Sequence, residues 1–149
     1  MQAPGALLEG QVMAVAYSGY REGQHPERDG PRPELDLVAV NPTREQVLED
    51  LQILVARGFR LIRMYDSGAP TETALELIRE HELPIKVLLG IWLKAELSNH
   101  ERNEWLIEPI PADRLADNVL VNAAEVERGI ALARRFADIV VAVNVGNEA

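Results

Sequence analysis

Cysteine is absent from the 149 residues, so no disulfide scaffold holds this chain, and its stability has to come from a packed core. Long apolar runs are absent too. No stretch approaches the roughly 20 apolar residues that a membrane helix requires, and Met1 to Gly10 has neither the basic start nor the apolar run of a secretory signal. Nothing in the sequence as written is expected to target or anchor it, and the lack of cysteine fits either redox compartment, so location stays open. Basic charge is scarce: 15 Lys and Arg face 24 Asp and Glu, a net charge of −9. That balance opposes nucleic acid and anionic lipid as partners and is indifferent to neutral ligands such as uncharged sugars.

The remaining composition, 47% hydrophobic and 26% charged with 10 Gly and 9 Pro, is that of a folded globular protein. A chain of this length buries about 70% of its unfolded surface, enough for one real core, and residues 1–149 are read as a single domain.

Gln11 to Tyr17 is short, apolar and β-branched, as a strand should be, and a stretch rich in Pro, Gly and charge follows to Asn41. Thr43 with Gln46 forms a capping box, Val47, Leu51, Leu54 and Val55 keep helical spacing, and Gly58 stands where a helix-ending glycine belongs. A strand over Leu61–Tyr65, a turn at Ser67–Pro70 and a helix facing inward through Ala74, Leu75 and Ile78 come next, with Pro84 as its stop. Ile85–Ile91 reads as the third strand and Ile139–Val145 as the fourth. Between them, Asn122 and Glu125 resemble the cap of a helix whose inner face carries Val126, Ile130 and Ala133. The preceding stretch, Lys94–Val121, reads as an elaborated loop with a helical turn near Asp113–Val119.

The order β-loop-α-β-α-β-loop-α-β, with near-continuous apolar strands, defines an α/β class with parallel strands expected to be covered on both faces. A doubly wound sheet and a (β/α)8 TIM barrel both satisfy it. The first strand lacks the G-x-G-x-x-G that a dinucleotide site wants, offering Tyr17-Ser18-Gly19-Tyr20 instead. The strand exits are unusually polar: Tyr17, Tyr20 and Arg21; Arg63, Tyr65 and Asp66; Trp92 and Lys94; Asn147 and Glu148. A barrel gathers such exits on one rim, where its chemistry sits. Eight strands take about 250 residues, so this chain reads as the first four βα units of a barrel.

Glu148 at a strand mouth beside the amide of Asn147 suits sugar chemistry, in which an acid protonates the leaving oxygen. Three motifs, Arg63-Met64-Tyr65-Asp66, Val87-Leu88-Leu89-Gly90 and Val143-Asn144-Val145-Gly146-Asn147-Glu148, in this order and spacing, resemble family 17 of the glycoside hydrolases. That family comprises β-1,3-glucanases, licheninases and bacterial glucan transglycosylases on a (β/α)8 barrel. The resemblance implies that Glu148 is the general acid/base, that Asn147 contacts the hydroxyl beside the reacting carbon, and that Tyr17, Arg63, Tyr65 and Asp66 line or brace the cleft. It also places the nucleophilic glutamate on a later strand with no counterpart in this sequence, and implies a periplasmic or extracellular setting. Ser18, Met64 and the insertion over residues 22–41 depart from plant members and favour the bacterial branch, which leaves both hydrolysis and transfer open.

Tyr17, Tyr65 and Trp92 are candidate stacking platforms for pyranose rings, with core packing as the plainer reading. Asp66 is expected to brace the site rather than react. Within the insertion, the loop Glu22–Pro33 is expected to be a disordered surface segment, with a wall of a substrate subsite as the alternative. His25, His81 and His100 are scattered and no H-E-x-x-H occurs, so neither a metal nor a cofactor is expected. The acidic runs Glu45, Glu49, Asp50 and Glu72, Glu76, Glu80 read as solvated helix faces. The expected partner is β-glucan. A different class is a non-catalytic half barrel that binds glucan or serves as a scaffold, pairing through its sheet edges with another copy or with a C-terminal half barrel.

Overall fold

The computed structural model describes residues 12–28, 33–102 and 108–146. Four strands, β1 (Met13–Ala16), β2 (Phe59–Arg63), β3 (Lys86–Ile91) and β4 (Val140–Val145), alternate with helices α1 (Arg44–Ala56), α2 (Ala69–Glu80) and α3 (Ala112–Arg135). The strands lie side by side in chain order, and every neighbouring pair is parallel. A doubly wound sheet reverses its order at a switch point. The described strands show no reversal, which is compatible with half of a barrel.

Strand alternation gives the sheet two unlike faces. Ile62, Val87 and Leu89 are fully buried in a cluster with Val47 and Leu51 of α1, Leu75 and Ile78 of α2, and Leu132 and Phe136. Their alternates Leu61, Arg63 and Leu88 are only half-buried. The helices therefore cover one face, not both as expected from the apolar runs. On β4 the valines at 143 and 145 stay exposed, the latter at 63%.

The first helix forms as its sequence predicts. Gln46 N donates to Thr43 Oγ1 (3.3 Å), Thr43 N donates back to Gln46 Oε1 (2.9 Å), and Gly58 follows the last turn at φ 89°. The acidic residues of α2 are not simply solvated: Arg44 pairs with Glu76 and Glu80, and Arg135 with Glu72 and Glu76, tying the three helices together.

The third helix differs from the expectation. It begins at Ala112, after Pro111, and runs 24 residues, so Asn122 and Glu125 lie in its interior and are buried. The Asn-x-x-Glu pattern mimics a capping box, but these side chains bond to the loop after β3 and the turn after β2 rather than to their own helix end. The sheet-facing stripe is Asn118, Asn122, Glu125, Gly129 and Leu132, which turns Ile130 outward instead of inward. Gly129 packs closely against β3: an added Cβ would lie 2.8 Å from Ile91 Cδ1, so the Ile91 side chain would have to shift.

The insertion over residues 22–41 is likewise not the plain surface segment expected. Its described residues form an antiparallel arm, with backbone pairs His25–Val40 and Arg28–Leu37. Arg21 fastens the base of the arm to α1 through Gln46 O (3.1 Å), Glu49 (2.8 Å) and Asp50 (2.6 Å).

Candidate functional site

The exits of β1, β2 and β3 and the arm enclose one cleft of about 950 Å³. Parallel strands deliver their C-terminal ends to the same edge, which is why residues far apart in sequence meet there.

After Arg63, Met64 N still pairs with Leu88 O (3.0 Å), and the chain then turns away. Asp66 Oδ1 accepts from Gly68 N (2.8 Å) and Thr71 Oγ1 (3.5 Å), closing the turn that starts α2. Oδ2 makes no hydrogen bond among the described residues. Gly90 admits this turn: a Cβ there would lie 2.3 Å from Tyr65 O.

Glu125, only 4% exposed, holds two strand exits together. Its Oε1 accepts from Ser67 N (2.7 Å) and Trp92 N (3.2 Å), and its Oε2 accepts from Ser67 Oγ (2.7 Å) and Arg128 Nη2 (2.6 Å). One turn earlier, Asn122 pairs with the backbone of Lys94 in both directions, Oδ1 accepting from Lys94 N (2.8 Å) and Nδ2 donating to Lys94 O (2.9 Å). The loop after β3 is thus laid against α3 by side chains standing in for a neighbouring strand.

Burial raises the pKa of Asp66 above its ordinary 3.8, and the nearby Glu125 charge adds to this, against the lowering hydrogen bonds from Gly68 and Thr71. The folded chain therefore holds this proton more tightly than the unfolded chain. The associated stability is present at low pH and is lost as pH rises from the ordinary value through the raised one. Asp66→Asn keeps the acceptor for Gly68 and removes the titration. Urea midpoints between about pH 4 and pH 7 are expected to shift in favour of the variant as pH rises. A wild-type-to-variant difference that is constant with pH contradicts this.

Of the residues singled out from sequence, Tyr17, Tyr65, Asp66 and Trp92 line the cleft together. The Tyr17 hydroxyl is turned to α1, donating to Asp50 Oδ2 (3.2 Å), and burial together with Asp50 pushes its pKa up. That hydrogen bond ties the β1 exit to α1 at the wall of the cleft. Trp92 is 43% exposed, which sets it apart from a core residue. Arg63 is not among the lining residues; its guanidinium lies over the Tyr65 ring, 5.0 Å from the centroid. Asn147 and Glu148 lie outside the described residues. The last described contact before Asn147 is Gly146 N to Ile91 O (3.0 Å), beside the β3 exit.

Sequence reasoning missed Ser67, Glu125 and Arg128. The signal was present: Asn118, Asn122 and Glu125 recur at helical spacing, a polar stripe that an amphipathic helix does not need on both of its faces. Charges in the cleft are mixed and partly paired, Glu125 with Arg128 and Glu27 with Lys94, so the cleft favours neither sign strongly. Among the described residues no cluster of three or more His, Cys, Asp or Glu is placed to hold a metal, and no helix is long and apolar enough to cross a membrane.

The fold and cleft define an α/β protein with a cleft at the ends of parallel strands. Comparison with known protein families, curated proteins and solved structures returns no match.

Proposed function

We propose that this chain carries the acid/base side of a retaining β-glucan-active site, on the first four units of a (β/α)8 barrel, in a hydrolase or transglycosylase. The observation that supports it most is the cleft itself. An exposed Trp92, the Tyr65 ring and the open oxygen of Asp66 line a cavity at the strand ends, and a neutral polyol can use ring stacking and carboxylate acceptors together. In sequence the Asn147-Glu148 pair comes after β4 and Gly146, and the neighbouring strand β3 delivers Trp92 to this cleft.

In this reading Glu148 donates a proton to the glycosidic oxygen as the bond to the anomeric carbon breaks, while a second carboxylate bonds to that carbon. Glu148 then takes a proton from water or from an acceptor sugar hydroxyl, which displaces the carboxylate. Asn147 holds the adjacent sugar hydroxyl. The second carboxylate would come from polypeptide beyond these residues. The test is to incubate the natural protein with β-1,3-glucan and follow reducing ends, transfer products and anomeric configuration. New ends or longer chains with retained β configuration are expected, and inverted products contradict the mechanism.

A second reading, a glucan-binding scaffold that associates through its sheet edges, is favoured by the exposed valines of edge strand β4. It predicts binding with no product in the same assay.

A further inference from the structure

Two cavities meet at one pair of side chains. Beside the main cleft lies a smaller recess of about 310 Å³ between the arm and the start of α3, and Glu27, Lys94 and Val121 line both spaces. Lys94 Nζ and Glu27 Oε1 are 3.0 Å apart, one from the exit of β3 and the other from the arm. From this we infer that the Lys94–Glu27 pair is the partition that ends the cleft and so limits how many sugar units of a linear glucan the protein engages. The inference rests on the saccharide reading proposed above.

The partition is built to stay in place. The Lys94 backbone is held on both sides by Asn122, its side chain is only 20% exposed, and a second ion pair, Asp36 with Arg114 (2.7 Å), keeps the arm against α3. An exposed ion pair contributes little by itself. The obstruction is therefore the packed Lys94 stem and the Glu27 side chain across it, rather than their attraction. Beyond them, Asp117 and Asn118 line the recess and bring side-chain oxygens to it, so a further glucosyl unit would find partners there once the way is open.

The experiment is calorimetric titration with β-1,3-gluco-oligosaccharides of increasing length. In the wild type, affinity rises with length and then stops. In Lys94→Ala the rise continues for one further unit, roughly threefold to tenfold in affinity, as one or two added hydrogen bonds would give. Glu27→Ala, at a side chain 67% exposed and so harmless to folding, is expected to move the limit in the same direction. A raised limit in either folded variant supports the partition. Binding with the wild-type length limit in both overturns it and leaves the saccharide reading standing. No binding of any length by the wild type overturns both.

Discussion

Glu148→Gln in the natural protein is expected to lower turnover of β-1,3-glucan by between about 100-fold and 10,000-fold, the usual worth of a positioned proton donor. Glutamine matches the shape of the acid but has no proton to give to a departing sugar oxygen. The loss should therefore depend on the leaving group, being large for glucan and small for an aryl glucoside whose phenolate leaves unaided. Oligosaccharide affinity should change little. A structural role for Glu148 predicts equal losses on both substrates, and normal turnover of glucan by the variant refutes the assignment. Steady-state kinetics on the two substrates checks all three outcomes.

Glu125→Ala is expected to destabilise the fold by about 3 kcal/mol or more. The carboxylate is the acceptor for Ser67 N, Ser67 Oγ and Trp92 N, and alanine leaves the Ser67 and Trp92 amides without it where Ser67 and position 125 are almost fully buried, while Ser67 Oγ keeps the backbone carbonyl of residue 125 (3.2 Å). Arg128 adds little to the loss, because its exposed guanidinium rehydrates. For a domain whose whole stability lies at about 5–15 kcal/mol this is a large fraction, visible as a lower urea midpoint at unchanged slope. Glu125→Gln, which retains one acceptor oxygen for the two backbone donors, should fall between. An alanine variant within about 1 kcal/mol of wild type would show that water replaces the carboxylate and that Glu125 does not join the two strand exits.

What the sequence made legible follows the range of the interactions. The α1 cap spans Thr43 to Gln46 and is complete within four residues, so its pattern suffices to place it. The strand order and parallel arrangement follow from alternating apolar strands and helices, and the gathering of Tyr65, Asp66 and Trp92 follows from strand direction alone. The failures are long-range. Ser67 and Glu125 are 58 residues apart, and nothing local to either distinguishes a buried acceptor from a helix cap. Asn122-x-x-Glu125 satisfies the capping pattern equally well, and the pairing of Asn122 with Lys94, 28 residues away, decided otherwise. The arm was misjudged for the same reason: its Pro, Gly and charged residues describe a surface loop, while its order comes from Arg21 bonded to Asp50 of α1, from Lys94 after β3 and from Arg114 of α3. Arg63 follows simple alternation, which sends it to the sheet face opposite Ile62 and onto the Tyr65 ring instead of toward Asp66.

The central claim, that a glucan segment lies across the ends of these strands, is tested most directly by amide chemical-shift mapping of this chain titrated with a β-1,3-linked glucose hexasaccharide. Saturable shifts at Tyr65, Asp66, Ser67 and Trp92, weakened about tenfold in Trp92→Ala by loss of one stacking contact, are the expected result. Shifts confined to the outer faces of α1 and α2, or none at millimolar ligand, would contradict it.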